Sequence, residues 1–314
     1  MIGLSSQHQR LRTLKKNILL SKKIADASKH NWVDQFCPSW SKPYLKLSRV
    51  DRPIGSWLLL LPCWWGSALA ILSYKPTISF QDYWIILGCV FGSILMRGAG
   101  CTWNDINDKN FDSQVVRTQL RPLPSGQVST KQAFIWMFFQ LVLALFILLT
   151  FNKFAILIGL ISILPVIIYP YAKRFTWWPQ LFLGVCFNWG ILLSFAAHSN
   201  SLNTSTVIFY VAGIFWTLFY DTIYAFQDTE DDALIGIKST ALLFGKTAKY
   251  WLLVFAFCTF LLMNISINLI PTLSSFSRLL LISGVTGFCL HLFWQVWTFK
   301  INDSDLCLKL FQSQ

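Results

Sequence analysis

Charge is scarce in this sequence. Only 13% of its 314 residues are Asp, Glu, Lys or Arg, against roughly 25% in an ordinary soluble domain. That shortage, alongside 54% hydrophobic residues, 15 Trp and 27 Phe, excludes a soluble globule. It indicates a polytopic membrane protein with aromatic-rich interfaces. Histidine is scarcer still, with four residues that pair with nothing nearby, and the eight cysteines never form a CxxC. Those absences argue against a zinc, haem or iron–sulfur site and leave the cysteines as small core residues. No Ser–His–Asp or Cys–His arrangement and no Gly-rich phosphate loop is visible, so chemistry through a covalent nucleophile is not expected.

The first 25 residues contain no acid, and no apolar stretch there is long enough for a secretory signal. Residues 1–30, rich in Lys, Arg and Ser, fit a mitochondrial transit peptide; an ordinary basic cytoplasmic tail is the alternative. Up to Arg49 the chain carries ten Lys/Arg against Asp26 and Asp34. The net charge of +12 therefore sits in the N-terminal segment and the loops, and it is not a nucleic-acid signature. Residues 31–53 form a basic, aromatic lead-in to the membrane. From residue 54 to 299 the sequence divides into apolar runs. At about 20 residues per span these are eight: 54–73, 82–102, 132–151, 154–171, 178–197, 206–226, 250–270 and 279–299. Pro165 and Pro170 should kink or end the fourth. Residues 300–314 remain as a short tail. The fold class is an all-α polytopic membrane bundle.

The loops sort by charge. The N-terminal segment, residues 103–131, 172–177 and 227–249, and the tail hold 22 of the 26 Lys/Arg. That positive-inside asymmetry puts the 103–131 and 227–249 loops on one face of the membrane. Those two loops and their approaches also hold eight of the 14 acidic residues. In residues 97–126, RGAGCTWNDINDKNFDSQVVRTQLRPLPSG, Asp105, Asp108 and Asp112 follow at spacings of three and four beside Asn104. On a helix they line one face, and unpaired carboxylates so close call for a cation; oxygen ligands suit Mg²⁺ or Ca²⁺. Arg97, Arg117 and Arg121 flank them. The second stretch, YDTIYAFQDTEDD, supplies Asp221, Asp228, Glu230, Asp231 and Asp232, followed by Lys238. An acid inside an apolar run, as Asp221 is, is costly unless it is paired or functional.

Acids for a metal and bases for an anion suggest one shared Mg²⁺–diphosphate site at one membrane face; a solvated acidic loop is the bland alternative. A metal-held diphosphate is a good leaving group. An isoprenoid attached to it would lie in the apolar bundle. The allylic cation left behind could be steadied by aromatic faces, for which Trp103, Phe111, Tyr220 and Tyr224 are near in sequence, although ordinary packing explains each of them too.

These residues resemble the UbiA superfamily of intramembrane aromatic prenyltransferases. NDINDKNFD at Asn104–Asp112 is similar to its NDxxDxxxD motif. Arg117, Thr118 and Arg121 to Gly126 follow its RT…RPLxSG pattern, and Tyr220–Asp232 with Gly236–Thr240 follows YDTxYAxxDxxDD…GxKST. The likeness runs from about Leu47 to Phe311, and RPIGSWLLLLPCWWG and YPYAKRFTWWPQLFLGVCFNWG look like the branch acting on 4-hydroxybenzoate in the mitochondrial inner membrane. The resemblance implies Mg²⁺-dependent transfer of a polyprenyl group from polyprenyl diphosphate to the ring of 4-hydroxybenzoate, ortho to the hydroxyl, in ubiquinone biosynthesis. It also implies that the bilayer holds the lipid substrate and that the active-site loops and N-terminus face the matrix.

By the same resemblance Asn104, Asp108 and Asp112 would hold one Mg²⁺, with Asp105 adjacent in the candidate metal set. Asp228 and Asp232 would hold another, with Asp231 close by in that set. Asp221 and Tyr224 would line the reaction centre as the candidate catalytic residues. Arg117, Arg121 and Lys238 would bind the diphosphate, and Arg97 and Arg52 are the candidates for the acceptor's carboxylate; Arg52 reads equally as an interface anchor. Two departures stand out. Val116 occupies a position where the family has a base. The family also has a ninth span after the pattern starting at INDSDLCLKLF, whereas this sequence ends at Gln314, so eight spans are expected. The alternatives are a family enzyme with another acceptor, an inactive or shortened isoform, and a cation-coupled transporter. Loop acids on one face rather than at mid-span argue against the last.

Overall fold

The computed structural model describes residues 31–74, 77–114 and 118–314; of Glu230, Asp231 and Ile235 only the backbone is described. The expected transit peptide and Arg117 therefore lie outside the described residues. Among those residues the structure is helical, with eight helices long and apolar enough to cross a membrane. In chain order the α-helices, spanning and short, are α1 (Trp32–Phe36), α2 (Lys42–Leu47), α3 (Ile54–Tyr74), α4 (Phe80–Asp112), α5 (Thr130–Leu148), α6 (Lys153–Ile161), α7 (Ile163–Phe175), α8 (Pro179–Ser199), α9 (Thr204–Ala225), α10 (Thr229–Ile235), α11 (Thr240–Phe244), α12 (Ala248–Asn268), α13 (Ser275–Thr298) and α14 (Ser304–Gln312). A spanning segment must satisfy its backbone polar groups internally, which is why each apolar run is helical. Large side chains such as Phe138, Phe257 and Leu279 remain exposed on these helices, as a lipid-facing surface requires.

The fourth run splits at Ser162 into α6 and α7. Pro165 stands in the first turn of α7, where its missing N–H does no harm. Pro170 lies inside α7 without ending it.

The chain forms two compact units, Met1–Gly55 with Ile94–Leu143, and Ser56–Ser93 with Ala144–Gln314. In the first, Leu47, Leu123, Val128 and Ala133 form a small core, packed by Tyr44, Ile106 and Trp136. The turn after α2 is locked by buried polar bonds: Ser48 Oγ donates to Gln140 Oε1 at 3.1 Å and accepts from Trp136 Nε1 at 2.8 Å.

In the second unit α9 is the central helix, packed along α8 and α12. Phe195, Phe209, Ala212 and Met263 belong to the core there. Asn188 of α8 donates to Thr217 of α9 at 2.8 Å, and Ser205 of α9 meets Ser266 of α12 at 2.9 Å. At the far end of α8 from Pro179, His198 Nδ1 lies 2.7 Å from Asp82 Oδ1 in a fully buried pair. Residues 300–314 are more than a tail. Asp303 caps α14 by accepting from Leu306 N, and α14 packs on α9. Phe311 meets the Tyr224 ring at a centroid distance of 4.6 Å, and Trp216 Nε1 donates to Gln314 Oε1 at 3.0 Å.

Candidate functional site

The first acidic stretch is helical to its end. Helix α4 continues without a break from the apolar run through Asn104 to Asp112. Asp105, Asp108 and Asp112 consequently share a face, and all three are buried, at 0%, 1% and 8% exposure. The structure corrects one premise: these carboxylates are not an unpaired set. Asp105 Oδ1 receives Arg49 Nη2 at 2.6 Å, with Arg121 Nη1 at 3.6 Å from the same oxygen, and Arg121 Nη1 lies 2.9 Å from Asp112 Oδ2. The positive charge that the face requires is supplied here by guanidinium groups. Among the described residues no three His, Cys, Asp or Glu side chains close on one metal position.

Arg49 is the site residue that sequence reasoning missed. Its backbone is left-handed, φ 58, a region that costs a residue with a Cβ roughly 1–2 kcal/mol. Its side chain is 8% exposed, and Nη1 also donates to Lys46 O at 3.2 Å. No motif marks such a position; Arg49 reads in the sequence as one more base of the lead-in.

The other bases of the first unit are also placed. Arg52 Nε lies 3.3 Å from Asp51 Oδ1. Arg97 is half-buried on α4, and its guanidinium lies over Gly55 at the start of α3. Arg121 is carried by residues 118–129, which Thr118 ties back to α4 by donating to Asp112 O at 2.9 Å.

In the second unit Asp221 and Tyr224 project from the last turns of α9, half-buried. Asp228 precedes α10 and Asp232 lies one turn on, with Asp232 N donating to Asp228 O at 2.8 Å. The short α10 thus puts these two carboxylates on one turn, and Gly236 ends it at φ 72. Lys238 is tied to the end of α7: its N donates to Lys173 O at 3.0 Å, its Nζ to Phe175 O at 3.3 Å, and Nζ stands 5.7 Å from the Trp177 ring. Any anion at this lysine would share it with the C-terminus of α7.

Each unit carries oxygen donors of its own, carboxylates with the Asn104 amide at the end of α4 in one and carboxylates around α10 in the other. Oxygen donors of this kind suit a hard divalent cation.

Comparison with known proteins places these observations. The UbiA prenyltransferase family matches residues 59–313, and the chain belongs to that family of membrane prenyltransferases. The mitochondrial 4-hydroxybenzoate polyprenyltransferases of Homo sapiens and Bos taurus are 44% and 43% identical to it over 274 residues, covering 87% of this chain and 71% of each relative. The Arabidopsis thaliana protein of the same name is 47% identical over 223 residues, 71% of this chain and 54% of its own. Among solved structures, a UbiA homologue from Aeropyrum pernix aligns with a TM-score of 0.67 at 21% identity, covering 82% of this chain and 92% of that one. A homologue from Archaeoglobus fulgidus, solved with GPP and Mg²⁺, aligns with a TM-score of 0.65 at 21% identity, covering 86% and 94%. The structural likeness carries the helical fold alone.

Proposed function

We propose that this chain transfers a polyprenyl group from polyprenyl diphosphate to the ring carbon of 4-hydroxybenzoate ortho to the hydroxyl, in the ubiquinone pathway, as a multi-pass protein of the mitochondrial inner membrane. The observation that carries the reading is the pair of acidic helix ends, Asn104–Asp112 on α4 and Asp221–Asp232 on α9 and α10, within a family match over residues 59–313. The loop charges, with four spans between the two stretches in the sequence, support a reading in which both face the matrix.

In this reading Asn104, Asp108 and Asp112 would hold one Mg²⁺ and Asp228 and Asp232 another, with Asp231 beside them. Bound Mg²⁺ would neutralise the charge that develops on the departing diphosphate. Arg121, Arg117 and Lys238 orient the diphosphate by charge-assisted hydrogen bonds. The carbon–oxygen bond breaks with its electrons leaving on the diphosphate, and the allylic carbon is left electron-poor. Aromatic faces at Tyr224 and Tyr220 stabilise that carbon and exclude water. Arg97 holds the acceptor's carboxylate, so that the ring carbon activated by the phenol oxygen faces the allylic carbon. The new carbon–carbon bond forms, and loss of the ring proton restores aromaticity. Asp221, at the end of α9, lines this centre.

The deciding experiment uses membranes containing the chain, 4-hydroxybenzoate, a polyprenyl diphosphate and Mg²⁺, with and without EDTA. Prenylated 4-hydroxybenzoate that disappears with EDTA is the expected result. No product from 4-hydroxybenzoate, but product from another phenolic acceptor, would overturn the assignment of substrate while keeping that of the reaction.

A further inference from the structure

The segment that carries the second acidic stretch closes on itself. Thr222, in the last turn of α9, and Thr240, the first residue of α11, bring their hydroxyls to 2.7 Å, and both residues are fully buried. A third buried side chain completes the closure: Gln180, in the first turn of α8, accepts from Thr240 N through Oε1 at 3.1 Å. That N–H is one of the donors a helix start cannot satisfy internally, and Ser239 serves another by accepting from Leu242 N at 3.4 Å. Residues 223–239 are therefore a loop with a buried polar neck, tied to two spanning helices at one residue. Asp221 stands one residue before Thr222, and Lys238 two residues before Thr240. Inside the loop, Asp232 N donates to Asp228 O at 2.8 Å and Ile237 N to Asp232 O at 3.0 Å, so each turn is referred back to the one before. The end of α7 and the start of α8 supply the anchors, Lys173 O and Phe175 O for Lys238 and the Gln180 amide for Thr240.

We propose that Gln180 is a positioning residue: through Thr240 it closes the neck of the 223–239 loop against Thr222, and so holds Lys238 and the Asp228–Asp232 turn ready for the diphosphate. The physical reason is pre-organisation. A loop of acids and one lysine with free ends would have to be ordered afresh by each substrate, at a cost in entropy. Two hydrogen bonds meeting at Thr240 remove most of that cost beforehand. Burial makes the closure firm, because opening it strands an N–H and two hydroxyls where water does not replace their partners. The inference rests on the prenyl-transfer reading for what the loop meets, but the closure itself can be tested without turnover.

The test uses the full chain, purified, with amide hydrogen exchange as the first readout. Gln180→Leu removes the acceptor at similar size, and Thr222→Val removes the hydroxyl at the same shape, so at least one of them is expected to fold. In each, exchange across residues 223–239 should quicken about tenfold, while the amides of α12 stay within about threefold of the unsubstituted chain. Thr222→Ser, which keeps a hydroxyl, should recover most of the protection. In turnover, the KM for polyprenyl diphosphate should rise about tenfold in Gln180→Leu and Thr222→Val, and the KM for 4-hydroxybenzoate should stay within about threefold. The doubly substituted chain should be no worse than the worse single variant, because either substitution opens the same neck. Unchanged exchange at 223–239 in Gln180→Leu would overturn the proposal, as would an equal quickening throughout the chain, the mark of a general loss of stability. Equal rises in both KM values would do the same. An unsubstituted chain that makes no product would count against the prenyl-transfer reading alone, since the exchange comparison still decides whether Gln180 closes the loop.

Discussion

The guanidinium of Arg97 rests on the backbone of Gly55. A Cβ built at position 55 would stand 2.5 Å from Arg97 Nε and 2.7 Å from Cζ, so the arginine occupies the place of a side chain that glycine lacks. The helix start at Ile54 and the carboxylate-recognising candidate on α4 are fitted to each other within one unit.

Gly55→Ala should therefore displace Arg97 without unfolding the chain. Steady-state kinetics should find the KM for 4-hydroxybenzoate raised about tenfold, the loss of one charge-assisted contact, with the KM for polyprenyl diphosphate nearly unchanged. Equal effects on both substrates would remove Arg97 from acceptor binding.

Asp108→Ala and Asp228→Ala should each abolish turnover while leaving the chain folded, because each removes an oxygen donor from one of the two acidic helix ends. The paired measurement is product formation with helicity and thermal unfolding of the purified variants. Full Mg²⁺-dependent activity in either would sink the shared site.

The buried pair Asp82–His198, 2.7 Å apart, lies at the end of α8 opposite Asp221 and α10. His198→Ala should cost roughly 1–3 kcal/mol of stability by removing a charge-assisted hydrogen bond at Asp82 Oδ1, while Asp82 Oδ2 goes on accepting from Ser79 N and Oγ. The kinetics of the fraction that remains folded should not change. A thermal scan beside a kinetic assay separates the two effects.

Helix α14 is anchored by Cys307, which is wholly buried. Burial first, and the charge of Asp303 second, push its thiol up to about 12. At pH 8 it stays neutral, so in the folded chain a maleimide reagent should label the half-buried Cys37 well before Cys307. Rapid labelling of Cys307 under native conditions would mean that α14 leaves α9.

The eight spans were legible because lipid imposes a single rule on the backbone, and Ile54, Asn203 and Ser274 mark helix starts close to where the apolar runs begin. The carboxylate face of α4 was legible for the same reason, since a spacing of three and four has one meaning on a helix. Arg49 was not, because a left-handed arginine leaves no pattern and its partner is 56 residues away. The docking of α14 was half-written in the sequence. Leu306, Cys307, Leu310 and Phe311 repeat at helical spacing behind the Asp303 cap, but their target on α9 depends on tertiary packing.

One consequence follows from the length of α4. At 1.5 Å per residue, its 33 residues extend about 50 Å, against a hydrocarbon layer of about 30 Å. An apolar crossing that begins at Phe80 is used up near residue 100, and Asn104 to Asp112 stand one to three turns beyond it. A substrate with a greasy tail and a doubly phosphorylated head can thus be held with each end in the medium it already prefers. No tail has to be drawn out of lipid, no charged head has to be driven in, and a water-soluble acceptor can arrive from the other side of the same boundary.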